Sequence, residues 1–260
     1  MILSQSNKFF AIIPARYAST RFPGKPLAML GDKPVIEHVW NRVSALFGEN
    51  VAVATDDERI ASYVKSFGGK AVMTSPEHRS GTDRCREAVE LLGVTDNVIF
   101  NIQGDEPFID IDSLESLMHC FDMEDVDIAT LVRPLPPTTP YSTIADPSLV
   151  KVIVSNGNRA MYFSRSPIPY CRGVETEQWT QTTPYYGHIG VYAYRHDVLR
   201  RLSSLPQSQL ECAESLEQLR WLQNGYSIAV AYTDAQTIGI DTPEDLAAAK
   251  KYLDEHHTAD

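Results

Sequence analysis

The sequence predicts an α/β protein built on a mostly parallel central sheet. In its first 102 residues, short apolar runs rich in β-branched residues alternate with longer amphipathic stretches. The apolar runs lie at residues 9–13, 51–54, 71–73 and 98–102. Because parallel strands need crossover connections that are usually helical, this alternation is typical of a parallel sheet covered by helices.

Amphipathic helices are predicted between these runs. Over residues 34–47, apolar side chains recur every three or four residues and would share one face of a helix. The stretches 57–67 and 83–92 follow the same pattern. Ligands of such folds bind beyond the carboxyl ends of the strands, so we expect the functional site in the loops that follow the apolar runs.

The pattern changes after Leu131. Four prolines exclude a continuous helix or a central strand here and predict a surface connection. They are Pro134, Pro136, Pro137 and Pro140. The runs at 150–154, 160–163 and 187–194 then follow without a long helix between them, which predicts antiparallel strands.

The last part of the chain returns to helices and strands. A helix is predicted over residues 211–222, a strand over 228–232 and a final helix from about Thr242. We expect a single domain over residues 1–260, with a smaller, partly antiparallel subregion at about 134–225.

Composition excludes several classes of function. The chain has 260 residues, 43% of them hydrophobic, and a net charge of −11. So acidic a chain is repelled by nucleic-acid phosphates and anionic membranes, and neither is an expected partner. The apolar run at 9–13 ends at Pro14, too short for a signal sequence or a membrane span, which predicts a cytoplasmic protein. The four cysteines form no C-x-x-C pair and are expected to be buried free thiols.

Cationic residues are concentrated in the loop after the first predicted strand. Residues 1–33 carry a net charge of +4, and the loop contains Arg16, Arg21 and Lys25. Guanidinium groups match phosphate oxygens, and the backbone amides of such a loop can join them, so the loop indicates a polyanion such as a nucleoside triphosphate. A solvated basic loop is the alternative. Pro26 replaces the Ser or Thr of a P-loop, and no G-x-G-x-x-G segment follows a strand, which disfavours kinase and nicotinamide sites.

Acidic residues stand at two later strand ends. Asp105 follows the run at 98–102, and Asp241 precedes the final helix. Such carboxylates can ligate a hard cation that also meets a triphosphate, although each could instead cap a helix. Thr242 and Asp245 already resemble a capping box, which leaves Asp241 unassigned. A fold that brings Asp105 and Asp241 together would therefore complete a magnesium–nucleotide site.

Seven segments carry a resemblance to a known family. They are IPARYASTRFPGKPL at 13–27, HRSGTDR at 78–84, NIQGDEP at 101–107, YFSR at 162–165, HIG at 188–190, LEQLR at 216–220 and GIDTPEDL at 239–246. Their combination and order are highly specific, extend over nearly the whole chain, and resemble the 3-deoxy-manno-octulosonate cytidylyltransferases, also called CMP-KDO synthetases. The resemblance implies a Rossmann-like nucleotidyltransferase fold in which the subregion at about 134–225 binds the sugar and forms a dimer.

The resemblance also implies a reaction and the residues that serve it. CTP and KDO would give CMP-KDO and pyrophosphate for lipopolysaccharide biosynthesis. The implied catalytic residues are Arg16 and Lys25, which would hold the triphosphate, and Asp105 and Asp241, which would ligate Mg²⁺. Residues 79–82 would recognise the cytosine, unless they merely begin a helix capped by Thr82. The implied nucleotide-binding residues are Pro14, Ala15, Arg16, Arg21, Lys25, Arg79, Ser80, Gly81, Thr82 and Asp105.

The sugar acid needs a different set of side chains. KDO is a carboxylated polyol, so its site requires a cation for the carboxylate and mixed donors and acceptors for the hydroxyls. The positions that match the family are Gln103, Arg165, His188, Tyr192, Glu217 and Gln218. Plain structural roles are the alternatives: an ion pair for Arg165, core positions for His188 and Tyr192, and an exposed helix face for residues 217–218.

The implied chemistry is an in-line attack of the sugar's anomeric hydroxyl on the α-phosphorus of CTP. Alignment and charge neutralisation dominate such a step, and metal ions make a dedicated side-chain base optional. The family also suggests a homodimer. The rival functions are a cytidylyltransferase for sialic acid or 8-amino-KDO, a nucleotide-sugar glycosyltransferase and a non-catalytic nucleotide-binding protein. Sugar competition and pyrophosphate release separate them.

Overall fold

Strands and helices alternate along most of the chain. The computed structural model describes residues 8–19, 21–78, 80–95, 97–235 and 238–256. Within these ranges the strands are β1 (Lys8–Ala15), β2 (Met29–Leu30), β3 (Lys33–Pro34), β4 (Val51–Thr55), β5 (Ala71–Met73), β6 (Asn97–Asn101), β7 (Ile128–Leu135), β8 (Lys151–Val154), β9 (Ala160–Ser164), β10 (Tyr185–Arg195) and β11 (Ile228–Tyr232). The α-helices are α1 (Val35–Phe47), α2 (Glu58–Ser66), α3 (Gly81–Leu92), α4 (Ile111–His119), α5 (Tyr141–Ala145), α6 (Trp179–Thr182), α7 (His196–Ser203), α8 (Gln209–Glu214), α9 (Gln218–Gln223) and α10 (Pro243–His256). The chain divides into two compact units, residues 1–111 with 236–260 and residues 112–235.

The first unit confirms the predicted parallel sheet. Its strands lie in the order β6, β1, β4, β5, and each neighbouring pair is parallel. Every residue of β4 is buried, and so is β1 from Phe10 to Ile13. Helices α1, α2 and α3 pack against these strands, which explains why the strands are apolar on both faces.

Two helices of this unit begin at side-chain caps. The carboxylate of Asp57 accepts a hydrogen bond from the backbone amide of Arg59 at 2.9 Å, at the start of α2. The hydroxyl of Ser80 accepts one from the amide of Asp83 at 3.1 Å, at the start of α3. Such caps pair amide groups that the first turn of a helix leaves without partners. The cap of α3 is therefore Ser80 and not Thr82, which corrects the alternative role considered for Thr82.

The second unit contains the predicted antiparallel strands within a mixed sheet. β7 is parallel to β11 and antiparallel to β10, and β8 pairs antiparallel with both β10 and β9. The prediction of a surface connection directly after Leu131 is wrong, because β7 continues through Pro134, which lies opposite Tyr186 of β10. Pairing with β11 ends at Val132, so the missing N–H of Pro134 interrupts no ladder bond on that side.

The helix predicted over residues 211–222 is two shorter helices. α8 ends at Glu214 and α9 begins at Gln218, and between them Ser215 has a φ of 53°. A residue in this left-handed conformation ends an α-helix. The break places Glu217 and Gln218 at the start of a separate helix.

Each unit has its own apolar core. One cluster in the first unit comprises Leu30, Val35, Ile240, Ala249 and Leu253. One cluster in the second comprises Leu135, Ile144, Cys171, Trp179 and Tyr185. Cys85 and Cys171 are buried, as predicted, whereas Cys212 is exposed. Over the described ranges, no helix combines the length and the hydrophobicity that a membrane crossing requires.

Candidate active site

A cavity of about 390 Å³ opens in the first unit beyond the carboxyl ends of β1 and β6. Its walls are the cationic loop after β1, the start of α3, the loop after β6 and Asp241. The lining residues are Pro14, Ala15, Arg16, Ala18, Ser19, Arg21, Lys25, Pro26, Gly81, Gln103, Gly104, Asp105 and Asp241. Ala18, Ser19, Pro26 and Gly104 lie in the segments 13–27 and 101–107 that carry the family resemblance, but they were not among the predicted site residues. The position of the cavity is the one expected for a ligand site of a parallel sheet.

Lys25 lies between Asp105 and Asp241. Its Nζ is 2.5 Å from Oδ2 of Asp105 and 3.0 Å from Oδ1 of Asp241, so these carboxylate oxygens are at most 5.5 Å apart, the sum of the two distances. Arg21 adds a further ion pair with Oδ2 of Asp241 at 3.0 Å. The amide of Ile240 donates to the carbonyl of Asp105 at 2.9 Å and so joins the two loops. The fold therefore brings together the two acids that the sequence analysis selected.

Asp241 does not cap α10. Oγ1 of Thr242 accepts from the amide of Asp245 at 3.2 Å, and Oδ2 of Asp245 accepts from the amides of Thr242 at 2.8 Å and Asp241 at 3.0 Å. This arrangement confirms the predicted capping box. The side chain of Asp241 is therefore available to the cavity.

Tyr17 and Gly24 shape the cationic loop. The amide of Gly24 donates to the carbonyl of Tyr17 at 2.8 Å, and Gly24 has a φ of 74°, which glycine adopts without strain. A Cβ at this position would lie 3.0 Å from the Tyr17 ring. The guanidinium carbon of Arg59 is 3.3 Å from the centroid of that ring, and Arg59 is paired with Asp57 at 2.6 Å. A cation–π contact thus anchors the loop to the start of α2.

Arg16 lies close to a second guanidinium group. Its Nη2 donates to the carbonyl of His78. Burial lowers the pKa of Arg16, and the charge of Arg84 lowers it further. Arg84 is itself fully buried and paired with Asp56 at 2.7 Å. Because repulsion from Arg84 disfavours the charge of Arg16, an anion bound beside Arg16 would relieve it.

The stretch predicted to recognise cytosine forms the start of α3. Gly81 lines the cavity, Ser80 caps the helix, and Thr82 is buried. Arg79 lies outside the described residues. A Cβ on Gly81 would lie 3.4 Å from Nδ2 of Asn101, whose buried Oδ1 has no hydrogen-bond partner among the described residues. Asn101 was not selected from the sequence, because a buried residue at a strand end has no local pattern that marks it.

The residues on either side of Asp105 are Gly104, where a side chain has no space, and Glu106, whose carboxyl group is buried. A Cβ on Gly104 would lie 2.8 Å from the carbonyl oxygen of Pro14, so glycine permits an approach of two backbones that other residues prevent. Oε2 of Glu106 is buried and, within the described part of the chain, has no hydrogen-bond partner. Burial raises the pKa of Glu106 to about 7, with a further contribution from the charge of Asp105.

Apart from Gln103, the residues predicted to bind the sugar belong to the second unit. Arg165 donates to three backbone carbonyls: Nε to Glu214 at 2.6 Å, Nη1 to Pro147 at 2.8 Å and Nη2 to Ser215 at 3.3 Å. These bonds stabilise the left-handed turn between α8 and α9. The guanidinium group of Arg165 therefore binds main-chain carbonyls, and the alternative of an ion pair with a carboxylate is wrong. Contact between Arg165 and the sugar remains a prediction.

Polar groups without partners surround the predicted positions on β10 and α9. Nε2 of His188 lies 3.0 Å from Oγ1 of Thr130, and burial lowers the pKa of His188 to about 3, so its imidazole is neutral near pH 7. The hydroxyl of Tyr192 is buried beside the hydroxyl of Thr130, and Nε2 of Gln218 is buried without a hydrogen-bond partner among the described residues. Gln218 is therefore not on an exposed helix face. Because buried polar groups are nearly always paired, this unused capacity indicates a polar ligand.

Trp221 and Tyr194 pack into the same cluster. The ring centroid of Trp221 is 5.0 Å from that of Tyr192 and 5.6 Å from that of Tyr194, both in edge-to-face geometry. The indole nitrogen of Trp221 is buried and has no hydrogen-bond partner in the described residues. Nothing in the sequence distinguishes these aromatic residues from ordinary core residues, so sequence reasoning missed them.

The carboxylates of the cavity are suited to a magnesium ion that shares its ligands with a substrate. Asp105 and Asp241 provide the hard oxygen atoms that Mg²⁺ prefers. Across the described residues, no group of three or more His, Cys, Asp or Glu side chains is placed to hold a metal ion. An ion held by these two carboxylates would therefore need further oxygens from phosphate and water, which is how Mg²⁺ is commonly bound.

Comparison with known proteins agrees with this geometry. Residues 10–228 match the cytidylyltransferase family. The 3-deoxy-manno-octulosonate cytidylyltransferase of Phocaeicola vulgatus is 57% identical over 246 residues, which are 95% of this chain and 97% of that protein. The 8-amino-3,8-dideoxy-manno-octulosonate cytidylyltransferase of Shewanella putrefaciens is 44% identical over 93% of this chain and 97% of that protein. The solved structure of CMP:2-keto-3-deoxy-manno-octonic acid synthetase complexed with CTP is similar with a TM-score of 0.87 and 42% identity, and the match covers 96% of this chain and 99% of the other.

Proposed function

The chain belongs to the cytidylyltransferase family, and we propose that it transfers CMP from CTP to KDO, forming CMP-KDO and pyrophosphate. The observation that carries this proposal is the 57% identity, over 95% of the chain, to a 3-deoxy-manno-octulosonate cytidylyltransferase. An enzyme named for the 8-amino sugar is 44% identical, close to the 42% of the solved CMP-KDO synthetase, so KDO is assigned from the 57% identical relative. The cavity supports the proposal, since it joins cations suited to a triphosphate with two carboxylates.

In the proposed reaction the anomeric hydroxyl of the sugar attacks the α-phosphorus of CTP. The bond from the α-phosphorus to the bridging oxygen breaks, and pyrophosphate leaves. Arg16, Arg21 and Lys25 bind the triphosphate and balance the charge that moves onto the leaving group. Lys25 is paired with two carboxylates in this structure, and its ammonium group, which has three N–H donors, retains one for a phosphate oxygen.

We propose that the reaction requires Mg²⁺ and that Asp105 and Asp241 hold it. The bound ion would supply Lewis-acid activation of a phosphate oxygen and of the attacking hydroxyl. Two observations support this proposal: the carboxylate oxygens are at most 5.5 Å apart, and the capping box at Thr242 leaves the side chain of Asp241 unused by the helix.

The function is tested by pyrophosphate release from purified protein. CTP, UTP, ATP and GTP are each combined with KDO, 8-amino-KDO or a sialic acid. We expect the highest kcat/KM for CTP with KDO. Faster release with 8-amino-KDO would reassign the sugar, and binding of CTP without release with any sugar would indicate a non-catalytic nucleotide-binding protein.

The metal proposal is tested by titrating Mg²⁺ against Asp105→Asn and Asp241→Asn. We expect a large fall in turnover and a higher Mg²⁺ requirement for both, with a nearly unchanged Tm for Asp241→Asn, because asparagine keeps the size but not the charge. Asp254→Asn, at an exposed position of α10, is the matched control. Wild-type Mg²⁺ curves for both site variants would remove the metal from this site.

We further propose that the protein acts as a cytoplasmic homodimer and that its product serves lipopolysaccharide biosynthesis. The family resemblance supports all three statements. Analytical ultracentrifugation tests the dimer, which a monomer at assay concentrations would refute. Cell fractionation tests the location, and depletion of the protein should reduce both cellular CMP-KDO and lipopolysaccharide.

A further inference from the structure

The pairing of β10 with β7 is interrupted by a bulge. Leu131 and Thr130 are neighbours on β7, yet the residues opposite them on β10, Ile189 and Tyr192, are three positions apart. Two extra residues of β10 are therefore accommodated at this point, and a regular ladder cannot pair every backbone group there. Thr130, which is fully buried, lies at the bulge.

The hydroxyl of Thr130 lies within hydrogen-bond distance of two backbone carbonyls of the bulge and of the imidazole ring of His188. Its Oγ1 lies 2.7 Å from the carbonyl oxygen of Val191, 3.4 Å from that of Ile189 and 3.0 Å from Nε2 of His188. A hydroxyl has one proton, and a carbonyl oxygen can only accept. If that proton pointed elsewhere, lone pairs of two buried oxygens would face each other at 2.7 Å. The proton therefore lies on the bond to Val191, and Oγ1 acts as an acceptor towards His188.

It follows that Nε2 of His188 carries a hydrogen. Burial lowers the pKa of His188 to about 3, so the ring is neutral near pH 7 and holds a single ring proton. With that proton on Nε2, Nδ1 has a lone pair and can only accept. Among the described residues, the bond to Thr130 is the only hydrogen bond of this ring. The ring packs against Phe163 at 5.1 Å and Tyr192 at 5.3 Å between centroids, and the residue is partly exposed.

We propose that Thr130 is a positioning residue that holds His188 as the Nε2–H tautomer and so presents Nδ1 as an acceptor for a hydroxyl group of the sugar. The inference rests on the proposed function for the identity of the ligand as a polyol. It also implies that the hydroxyl groups and the carboxylate of the sugar are bound by different residues. A neutral acceptor binds a hydroxyl but repels a carboxylate, so the carboxylate of the sugar must be held by another group.

The tautomer is tested in the free protein by ¹⁵N NMR of the histidine rings, with a His188→Gln sample to assign the signals. We expect the shifts of an Nε2–H ring for His188 in the wild type and a mixture of tautomers in Thr130→Val, which keeps the shape but lacks the hydroxyl. Thr130→Ser should restore the wild-type pattern. A proton on Nδ1 in the wild type, or an unchanged tautomer in Thr130→Val, overturns the proposal.

The consequence for binding is tested by steady-state kinetics. We expect the KM for KDO to rise about tenfold in Thr130→Val, equivalent to about 1.4 kcal/mol. The KM for CTP should stay close to that of the wild type, and Thr130→Ser should recover most of the loss. A purely structural role of Thr130 predicts equal losses for both substrates and no change of tautomer, and this outcome would overturn the proposal.

Failure of this proposal and failure of the proposed function give different results. A wild-type protein that releases no pyrophosphate with KDO refutes the function, while the NMR spectrum of the free protein still decides the tautomer. If Thr130→Val does not fold, the wild type and Thr130→Ser decide the matter: an Nε2–H ring in both, with KM values for KDO that agree, supports the proposal, and an Nδ1–H ring in either overturns it.

Discussion

Replacing Gly104 by alanine tests whether the cavity depends on the close approach of two backbones. An ideal Cβ at this position lies 2.8 Å from the carbonyl oxygen of Pro14 and 3.5 Å from side-chain atoms of Ile13 and Ala15. Carbon–oxygen contacts normally begin at about 3.3 Å. The end of β1 and the loop that follows β6 must therefore separate by about 0.5 Å to reach that contact distance. Because the opposing atom belongs to the backbone, no side-chain rotation can relieve the overlap.

The overlap in Gly104→Ala would strain β1 and β6, which are hydrogen-bonded to each other, and this pairing sets the expected loss of stability. β1 and β6 are parallel neighbours, and the amide of Ile102 donates to the carbonyl of Ile12 at 3.0 Å. Overpacking of a well-packed region costs about 1–3 kcal/mol. For a protein of this size each kcal/mol lowers the Tm by about 2–4 °C, so we expect a decrease of roughly 2–12 °C. Because Pro14 lines the cavity, its displacement should also weaken CTP binding by about tenfold.

Differential scanning calorimetry and isothermal titration with CTP measure these two effects. Gly157→Ala is the matched control, because a Cβ there has its nearest neighbour, Oγ of Ser155, at 3.9 Å and the position has no positive φ. The control should behave as the wild type in both assays. A Gly104→Ala protein whose Tm and CTP affinity also equal those of the wild type would show that the end of β1 and the loop after β6 separate without cost, which would refute the reasoning.

Three further substitutions test other contacts. Glu211→Gln breaks a bidentate ion pair with Arg220, in which the side chain of Glu211 is 7% exposed and that of Arg220 is 11% exposed. This substitution should lower the free energy of unfolding, measured in urea, by about 3–5 kcal/mol. Burial would raise the pKa of Glu211, but the hydrogen bonds from Arg220 lower it overall. The stability from this pair is therefore present above the unfolded pKa of about 4.3 and is lost as the pH falls through the lower folded value, so the difference between wild type and variant should shrink in acid. Lys25→Ala should reduce pyrophosphate release by about 10²–10³-fold with an unchanged circular dichroism spectrum, and wild-type turnover would contradict its role. Arg59→Met removes the cation–π contact with Tyr17 and should raise the KM for CTP more than the KM for KDO, whereas equal changes would indicate that the loop is anchored otherwise.

Local patterns predicted most of the secondary structure and one feature of the site. The apolar runs became β1, β4, β5 and β6, because the periodicity of buried strands is a property of neighbouring residues. The capping box of Thr242 and Asp245 was predictable for the same reason, since both of its hydrogen bonds join residues three positions apart. It left Asp241 without a capping role before any tertiary contact was known.

Two predictions failed where distant residues decide the conformation. Pro134 lies in a strand because β10 pairs with it while β11 has already ended, a circumstance that the prolines around it do not reveal. The helix over 211–222 is broken at Ser215, where Arg165, fifty positions earlier in the chain, donates to the Ser215 carbonyl. Local propensity cannot anticipate a conformation that a remote side chain stabilises.

The sequence by itself determined which kinds of chemistry the protein carries, because charge and hydrogen-bonding capacity belong to each residue wherever it lies. It therefore sufficed to select Lys25, Asp105 and Asp241 as groups for a nucleotide and a metal. Only the tertiary structure decided that one ammonium group joins both carboxylates, and that the hydroxyl of a buried threonine lies 3.0 Å from Nε2 of His188. Such pairings depend on the angstrom-scale approach of segments far apart in the chain, and packing of the whole fold sets those distances.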